Sequence, residues 1–309
     1  MSRNRPDPST VPHGIVVVDK PAGVTSAAVV ARIKRALRGA KVGHLGTLDP
    51  FATGVLPICI GEGTKLAPFV DDAVKRYVGE ILLGSETDTL DGTGTVVAEA
   101  PVPRLTPVGV TAALAGLQGD ILQTPPMYSA LKRGGVPLYK LARKGEEVAR
   151  EQRPIRISRF EVALLEGGRL AFAVSCSKGT YVRVLAQDLG RALGTAAHLV
   201  TLRRTASGPL SLRHAVSLEA LEARIAAGGR PEVLAPSAAL EHLRAVVVDP
   251  PTVTAIRRGQ QRALVRLGRP RTASEQVRVE NDDGALVAIA ESGPDEAWRL
   301  ARVLTDVSS

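Results

Sequence analysis

Residues 155–166 (IRISRFEVALLE) and 169–177 (RLAFAVSCS) alternate apolar with polar positions and are joined by Gly167-Gly168. This pairing constrains the fold more than any other feature. Alternation lays one face of a strand on a core, and two glycines between such runs permit a tight turn, so an antiparallel hairpin is predicted. Residues 74–84 read as another strand, with TGTVVAE (93–99) as its antiparallel neighbour across the turn-rich TDTLDGTG. GIVVVDKP (14–21) is a short buried strand stopped by proline, and a further strand is expected near 198–205. Helices fall between. One is capped by Thr25 or Ser26 and runs to about Arg38, where Gly39 ends it; one starts at Thr106-Pro107 and runs to about Leu117; others are expected near 180–193 and 217–227. Hairpins alternating with helices argue for an α+β fold with a mostly antiparallel central sheet and flanking helices. Residues 226–242 read as a linker, and the short apolar runs 246–248, 277–279 and 286–289 predict a small β-rich module over 244–309. The first twelve residues, MSRNRPDPSTVP, are polar and proline-rich and predict a disordered tail.

Charge then narrows the partners. Forty Lys and Arg against 31 Asp and Glu leave a formal charge of +9. Residues 30–41 carry Arg32, Lys34, Arg35, Arg38 and Lys41 with no acid, residues 132–159 carry nine basic and three acidic side chains, and residues 257–271 carry six arginines and no acid. Separated basic stretches of this kind fit a phosphate backbone. No run approaches the length of a membrane span, and no signal pattern opens the chain. Two cysteines, Cys59 and Cys176, make neither a disulfide framework nor a four-cysteine zinc site, and are expected as buried thiols.

Candidate chemistry concentrates in three segments. In GHLGTLDPFATGVLP (43–57), Asp49 precedes Pro50 and so lies on extended backbone, while Gly43, Gly46 and Gly54 permit turns or close approach; the glycine- and proline-rich stretch 41–64 is expected to be largely loop. Read alone, Asp49 is more often a turn-capping residue. In CSKGTYVRVLAQDLG (176–190), Tyr181 and Arg183 open a helix. In QTPPMYSALK (123–132), a double proline stiffens the approach to Tyr128 and Lys132. Phosphate-loop, dinucleotide, zinc-protease and serine-hydrolase signatures are absent, and the five histidines are scattered. A cofactor-free and metal-free site built on a carboxylate, an arginine and tyrosines remains.

These segments, with VVVDKPAGVTS (16–26), KRYVGEILLGSETDTLDGTG (75–94), GVPLYKLARKGEEV (135–148) and AHLVTLRRTASGP (197–209), occur in an order that resembles the TruB-type tRNA pseudouridine synthases, the bacterial enzymes for pseudouridine-55. The similarity covers residues 14–215, and G-H-x-G-x-L-D-P-x-A-T-G is its most specific part. The resemblance implies a pseudouridine-synthase fold over 13–240 and a PUA-like RNA-binding module over 244–309. It also implies isomerisation of one uridine in the tRNA T loop by base flipping, with Asp49 as the essential carboxylate, attacking carbon or abstracting a sugar proton. Arg183 matches the position that pairs with that carboxylate, and Tyr77 the tyrosine that stacks on the flipped base. His44 matches the residue that fills the vacated space, Tyr181 and Leu202 match pocket-lining positions, and Lys20 a structural lysine near the site. The basic stretch from Lys132 to Arg159 matches an insertion that closes over the T arm, with Gly134-Gly135 as its hinge and Lys132 among the RNA contacts.

A cytoplasmic protein is expected, with tRNA as its partner, no membrane, no obligatory protein partner and no cofactor, and nothing in the sequence requires more than a monomer. Leu45 departs from the family pattern, which has a small hydroxyl residue there, and leaves the local hydrogen bonding open. Two other readings stay open beside this one: an RNA-guided synthase working inside a ribonucleoprotein, and a tRNA-folding chaperone that needs base flipping but not Asp49.

Overall fold

Phe160 and Phe172 meet edge to face with ring centres 6.3 Å apart, and both are buried. They sit on the two arms of the predicted hairpin, Arg153–Leu164 and Arg169–Cys176, which pair antiparallel with Phe160 opposite Val174 and Val162 opposite Phe172. Cross-strand aromatic contacts of this kind fix register, because a slip of one residue would turn every apolar side chain to solvent. The structure is a computed structural model that describes residues 11–70 and 74–305. Of the expected tail, residues 1–10 lie outside the described residues.

The chain divides into two units. One holds Asp49–Gly54 and Asp72–Gly208; the other holds the chain up to Leu48, Val55–Asp71 and everything from Pro209 onward. In the Asp72–Gly208 unit the strands lie in the order Ala197–Ser207, Lys75–Leu83, Arg169–Cys176, Arg153–Leu164, Gly119–Gln123, each antiparallel to the next. The Val182–Ala192 helix packs on this sheet, with Leu185 and Leu189 fully buried. Thr106 caps the Pro107–Ala115 helix by accepting from the Gly109 amide, with proline at its first turn as expected.

In the other unit, Gly14–Lys20 runs parallel to Ala215–Ser217, and Val42–His44 pairs antiparallel with the end of Thr53–Ile60. The Ser26–Ala36 and Leu218–Ala226 helices are joined by an Arg32–Glu222 ion pair. Thr25 caps the first of these helices by accepting from Ala28 N. Leu45, the departure from the family pattern, is buried among Ile15, Val17, Val55 and Leu66, and its amide donates to Pro57 O at 2.9 Å. Its side chain therefore contributes packing and no hydrogen bond.

Four expectations are corrected. Stretch 41–64 is not largely loop: Val42–His44 and Thr53–Ile60 are strands, and only 45–52 connects them. Residues 54–60 are all buried, so no alternation marked them as a strand. Val96–Glu99 pairs with Ser85–Thr87 rather than with 74–84, because both edges of Lys75–Leu83 are occupied and Gly84, at φ 97°, breaks the strand first. Residues 226–242 are not a free linker: Leu234 and Ile15 exchange backbone hydrogen bonds, and Ala239 and Leu240 are fully buried. Within 132–159, residues 153–159 belong to the Arg153–Leu164 strand, with Ile155 and Ile157 buried. Gly134 and Gly135, at φ 56° and 83°, form the two-residue turn of a small hairpin.

The C-terminal segment folds as a four-stranded sheet in the order Arg244–Val247, Gln276–Glu280, Leu286–Ser292, Trp298–Val303. A core of its own lies around Ile256, Val277, Val279 and Val287. The last strand and the Pro250–Arg257 helix were not anticipated, although Asp249 followed by two prolines is a helix start; Asp249 accepts from Thr252 N there. Among the described residues no helix is long and apolar enough to cross a membrane.

Candidate active site

Asp49 begins a turn in which Ala52 N donates to its carbonyl, and Pro50 keeps the backbone extended ahead of that turn. Directly after Ala52, Thr53 and Gly54 pair with Arg203 and Arg204 of the Ala197–Ser207 strand, which pins the loop to the sheet. Gly54 has φ 99°, and a Cβ there would lie 2.2 Å from Arg204 O. Gly54→Ala is therefore expected to destabilise the fold by about 3 kcal/mol, read as a shift in the urea midpoint at unchanged m-value. A wild-type midpoint would show that this contact does not set the loop.

Arg183 lies in the first turn of the Val182–Ala192 helix, where the helix dipole disfavours a cation. Acceptors offset this on every side. Nε donates to Asp49 Oδ2 at 2.8 Å and Nη2 to Asp49 Oδ1 at 3.1 Å, a side-on bidentate pair. Nη1 donates to Thr89 O at 2.7 Å, and Nη2 also to Tyr128 O at 2.8 Å. The Asp91 carboxylate lies 3.7 Å from Nε and is itself fixed by Thr89 Oγ1, Thr93 N and Thr93 Oγ1. The Arg183 side chain is 3% exposed, but that of Asp49 is 34% exposed. The arginine is thus enclosed while the carboxylate keeps a face open to an incoming group.

Two phenols share this neighbourhood. Tyr77 and Arg204 are opposite each other on antiparallel strands, as are Gly79 and Leu202, so Tyr77, Arg204 and Leu202 share one face of the sheet. Burial pushes the Tyr77 phenol up, and the fully buried Arg204, which is hydrogen-bonded to it, pulls it part of the way back. Burial also raises the Tyr181 phenol, against the charges of Arg153 and Arg183. The Asp49 charge acts on both phenols in the same upward sense. Asp49, Arg183, Tyr77, Tyr181 and Leu202 are therefore brought together. Cys176, on the same face, is a buried thiol pushed up to about 11 by burial and is held out of reaction.

The remaining candidates stand elsewhere. Lys20 is fully buried in the other unit, where Nζ donates to Pro21 O and Val24 O and ties the turn after Gly14–Lys20. His44, also in that unit, is half-buried at the end of its strand, opposite Ile58. Lys132 is exposed on the small hairpin. Sequence reasoning missed Asp91, Gln123 and Arg204. Asp91 was read only as part of a turn, and its signal was a carboxylate flanked by threonines at 89 and 93. Gln123 is buried, and its amide pairs with both backbone groups of Tyr181, accepting from N at 2.8 Å and donating to O at 3.1 Å. Arg204 was hidden in the arginine-rich LRRT. Among the described residues no group of three or more His, Cys, Asp or Glu could hold a metal ion.

Comparison with known proteins places this site in a family. Residues 34–182 match the TruB family pseudouridylate synthase N-terminal domain, and residues 183–249 the tRNA pseudouridylate synthase B C-terminal domain. The chain is 46% identical over 284 residues to tRNA pseudouridine synthase B of Geobacter sulfurreducens, covering 90% of this chain and 93% of the relative. It is 51% identical over 237 residues to tRNA pseudouridine synthase B of Aromatoleum aromaticum, covering 76% of each. Among solved structures, one from a Cbf5-Nop10-Gar1 complex aligns with TM-score 0.71 at 26% identity, over 94% of this chain and 84% of that one. The side-on arginine–aspartate pair thus sits within the matched region, and the chain belongs to the TruB family of pseudouridylate synthases.

Proposed function

We propose that the chain isomerises uridine to pseudouridine in tRNA, at position 55 of the T loop, with Asp49 as its essential carboxylate. The observation that carries this reading is the Asp49–Arg183 pair, with its enclosed guanidinium and partly open carboxylate, in a chain of this family. The reaction breaks N1–C1′ of uridine, turns the base and joins C5 to C1′. The C5 proton is lost and N1 gains one, so nothing is consumed. Attack on carbon and abstraction of a sugar proton both require Asp49 ionised, and the enclosed Arg183 guanidinium is placed to hold that charge.

A stacked uridine is reached only when flipped. Tyr77 supplies the platform for the flipped base, Tyr181 and Leu202 line the pocket, His44 enters the vacated space, and Lys20 holds the turn behind its strand. Lys132 and the basic side chains that follow grip T-arm phosphates. The catalytic region spans 13–240, and 244–309 is a PUA-like RNA-binding module. The protein works in the cytoplasm as a monomer, on bare tRNA, without cofactor or obligatory protein partner. An RNA-guided role has the likeness to the Cbf5 complex behind it, but identity is 26% there against 46% with a tRNA pseudouridine synthase B.

Mapping of pseudouridine by chemical labelling and primer extension, on an unmodified tRNA transcript with purified protein alone, tests the proposal. One T-loop stop supports it. No stop despite salt-sensitive tRNA binding would leave the guided or chaperone reading. Within the same assay, Tyr77→Phe is expected to bind tRNA within about threefold of wild type, since the ring still stacks, and to react about 10²-fold more slowly. Full activity in that variant would remove the hydroxyl from the chemistry.

A further inference from the structure

One of the acceptors that grip Arg183 is a backbone carbonyl belonging to no regular element. Tyr128 O lies in residues 124–131, which form neither helix nor strand. A peptide oxygen orients a guanidinium only if its own segment is fixed, and here side chains do the fixing. The Gln123 amide clamps the segment's start to Tyr181, and Arg150 Nη1 donates to Pro125 O at 3.2 Å. The Tyr128 hydroxyl donates to Asp88 Oδ2 at 3.1 Å, and Asp88 Oδ1 accepts from Thr95 N at 2.8 Å. Asp88 adjoins Thr89, whose carbonyl is the other peptide acceptor for Arg183. The Tyr128 side chain therefore bridges the two backbone stretches that share the guanidinium.

The same residues root the basic hairpin. Ser129 O accepts from Tyr139 N at 3.1 Å and Leu131 O from Leu138 N at 2.7 Å, with the 132–137 hairpin between these attachments. Farther along, Arg133 Nη1 donates to Ala149 O at 2.6 Å. A load on the hairpin is thus delivered next to Tyr128.

We infer that Tyr128 is a positioning residue: its bond to Asp88 fixes the carbonyl that orients Arg183 against Asp49, and it links that orientation to RNA engaged by the 132–137 hairpin. The inference rests on the proposed isomerisation for its catalytic consequence. Tyr128 acts through Arg183, so its loss alters the reaction step and not the affinity.

Tyr128→Phe keeps the ring and the peptide and removes one charge-assisted hydrogen bond. At saturating tRNA it is expected to slow single-turnover isomerisation about tenfold while affinity stays within about twofold. Tyr128→Phe/Asp88→Ala should be no slower than the slower single variant, because Asp88→Ala, which also frees Thr95 N, already removes the bond that Tyr128→Phe removes. A second readout needs no turnover: the Arg183 Nε–H signal in nitrogen-15 spectra, assigned by its loss in Arg183→Lys. In the free protein that hydrogen should exchange about fivefold or more faster in Tyr128→Phe, and the protection wild type gains with a pseudouridine-containing T-arm RNA should be missing. Unchanged rate with unchanged exchange would overturn the inference. Weakened affinity with an unchanged saturated rate would also overturn it, making Tyr128 an RNA contact. If wild type isomerises nothing, the proposed function fails separately, and the exchange measurement still decides whether Tyr128 orients Arg183.

Discussion

Asp49→Asn is expected to lose isomerisation by at least about 10³-fold while binding tRNA within about threefold of wild type. Asparagine has the same shape, so the turn closed by Ala52 N onto the carbonyl of residue 49 is retained. What changes is charge and donor pattern. The amide nitrogen of asparagine faces either Arg183 Nε or Nη2, so one of two N–H···O contacts becomes donor against donor. Arg183 stays in place all the same, because Thr89 O, Tyr128 O and the nearby Asp91 carboxylate still hold it. The variant is therefore a clean loss of the ionised carboxylate. Release of tritium from C5-labelled uridine reports the reaction, filter binding reports affinity, and thermal melting checks the fold. Turnover within tenfold of wild type would remove Asp49 from the chemistry. Retained tRNA refolding in the inactive variant would show a chaperone activity beside the isomerase.

The hairpin at Gly167-Gly168 was legible because both its arms alternate, and alternation is the direct imprint of a sheet with one covered face. Thr53–Ile60 was not legible, since a strand buried on both faces carries no period, and its glycine and proline resembled a loop. The site shows the same contrast. Asp49 stands in a segment whose residue types are unusual together, so the family resemblance fell on it directly. Asp91 and the carbonyls of Thr89 and Tyr128 could not be found that way. Their role comes from two distant stretches of chain converging on the helix that carries one guanidinium, and a backbone oxygen carries no sequence signal at all. Arg204 was visible as a charge in the sequence, but only the strand register shows it enclosed opposite Tyr77.

Arg183→Lys and Arg183→Ala separate geometry from charge at this centre. A lysine keeps one positive charge but cannot meet, from one ammonium, both Asp49 oxygens, Thr89 O and Tyr128 O, which surround the planar guanidinium. Its expected effect is a fall of about 10²-fold in the single-turnover rate with tRNA affinity within about threefold, because the positive charge stays but the carboxylate loses its fixed aim. Alanine removes the cation as well. Asp91 is 4% exposed and would lose the Arg183 guanidinium, so the fold itself should weaken by about 3 kcal/mol, the low end for a broken buried pair, since its threonine partners remain. The rate of Arg183→Ala should then fall by about 10³-fold or more even at temperatures where the variant is folded. Denaturant midpoints and filter binding, run beside tritium release, distinguish these losses. Collapsed RNA binding with an unchanged rate per bound tRNA would recast Arg183 as a phosphate contact. A lysine variant as fast as wild type would show that charge alone suffices and that the four-acceptor geometry does not act in the reaction.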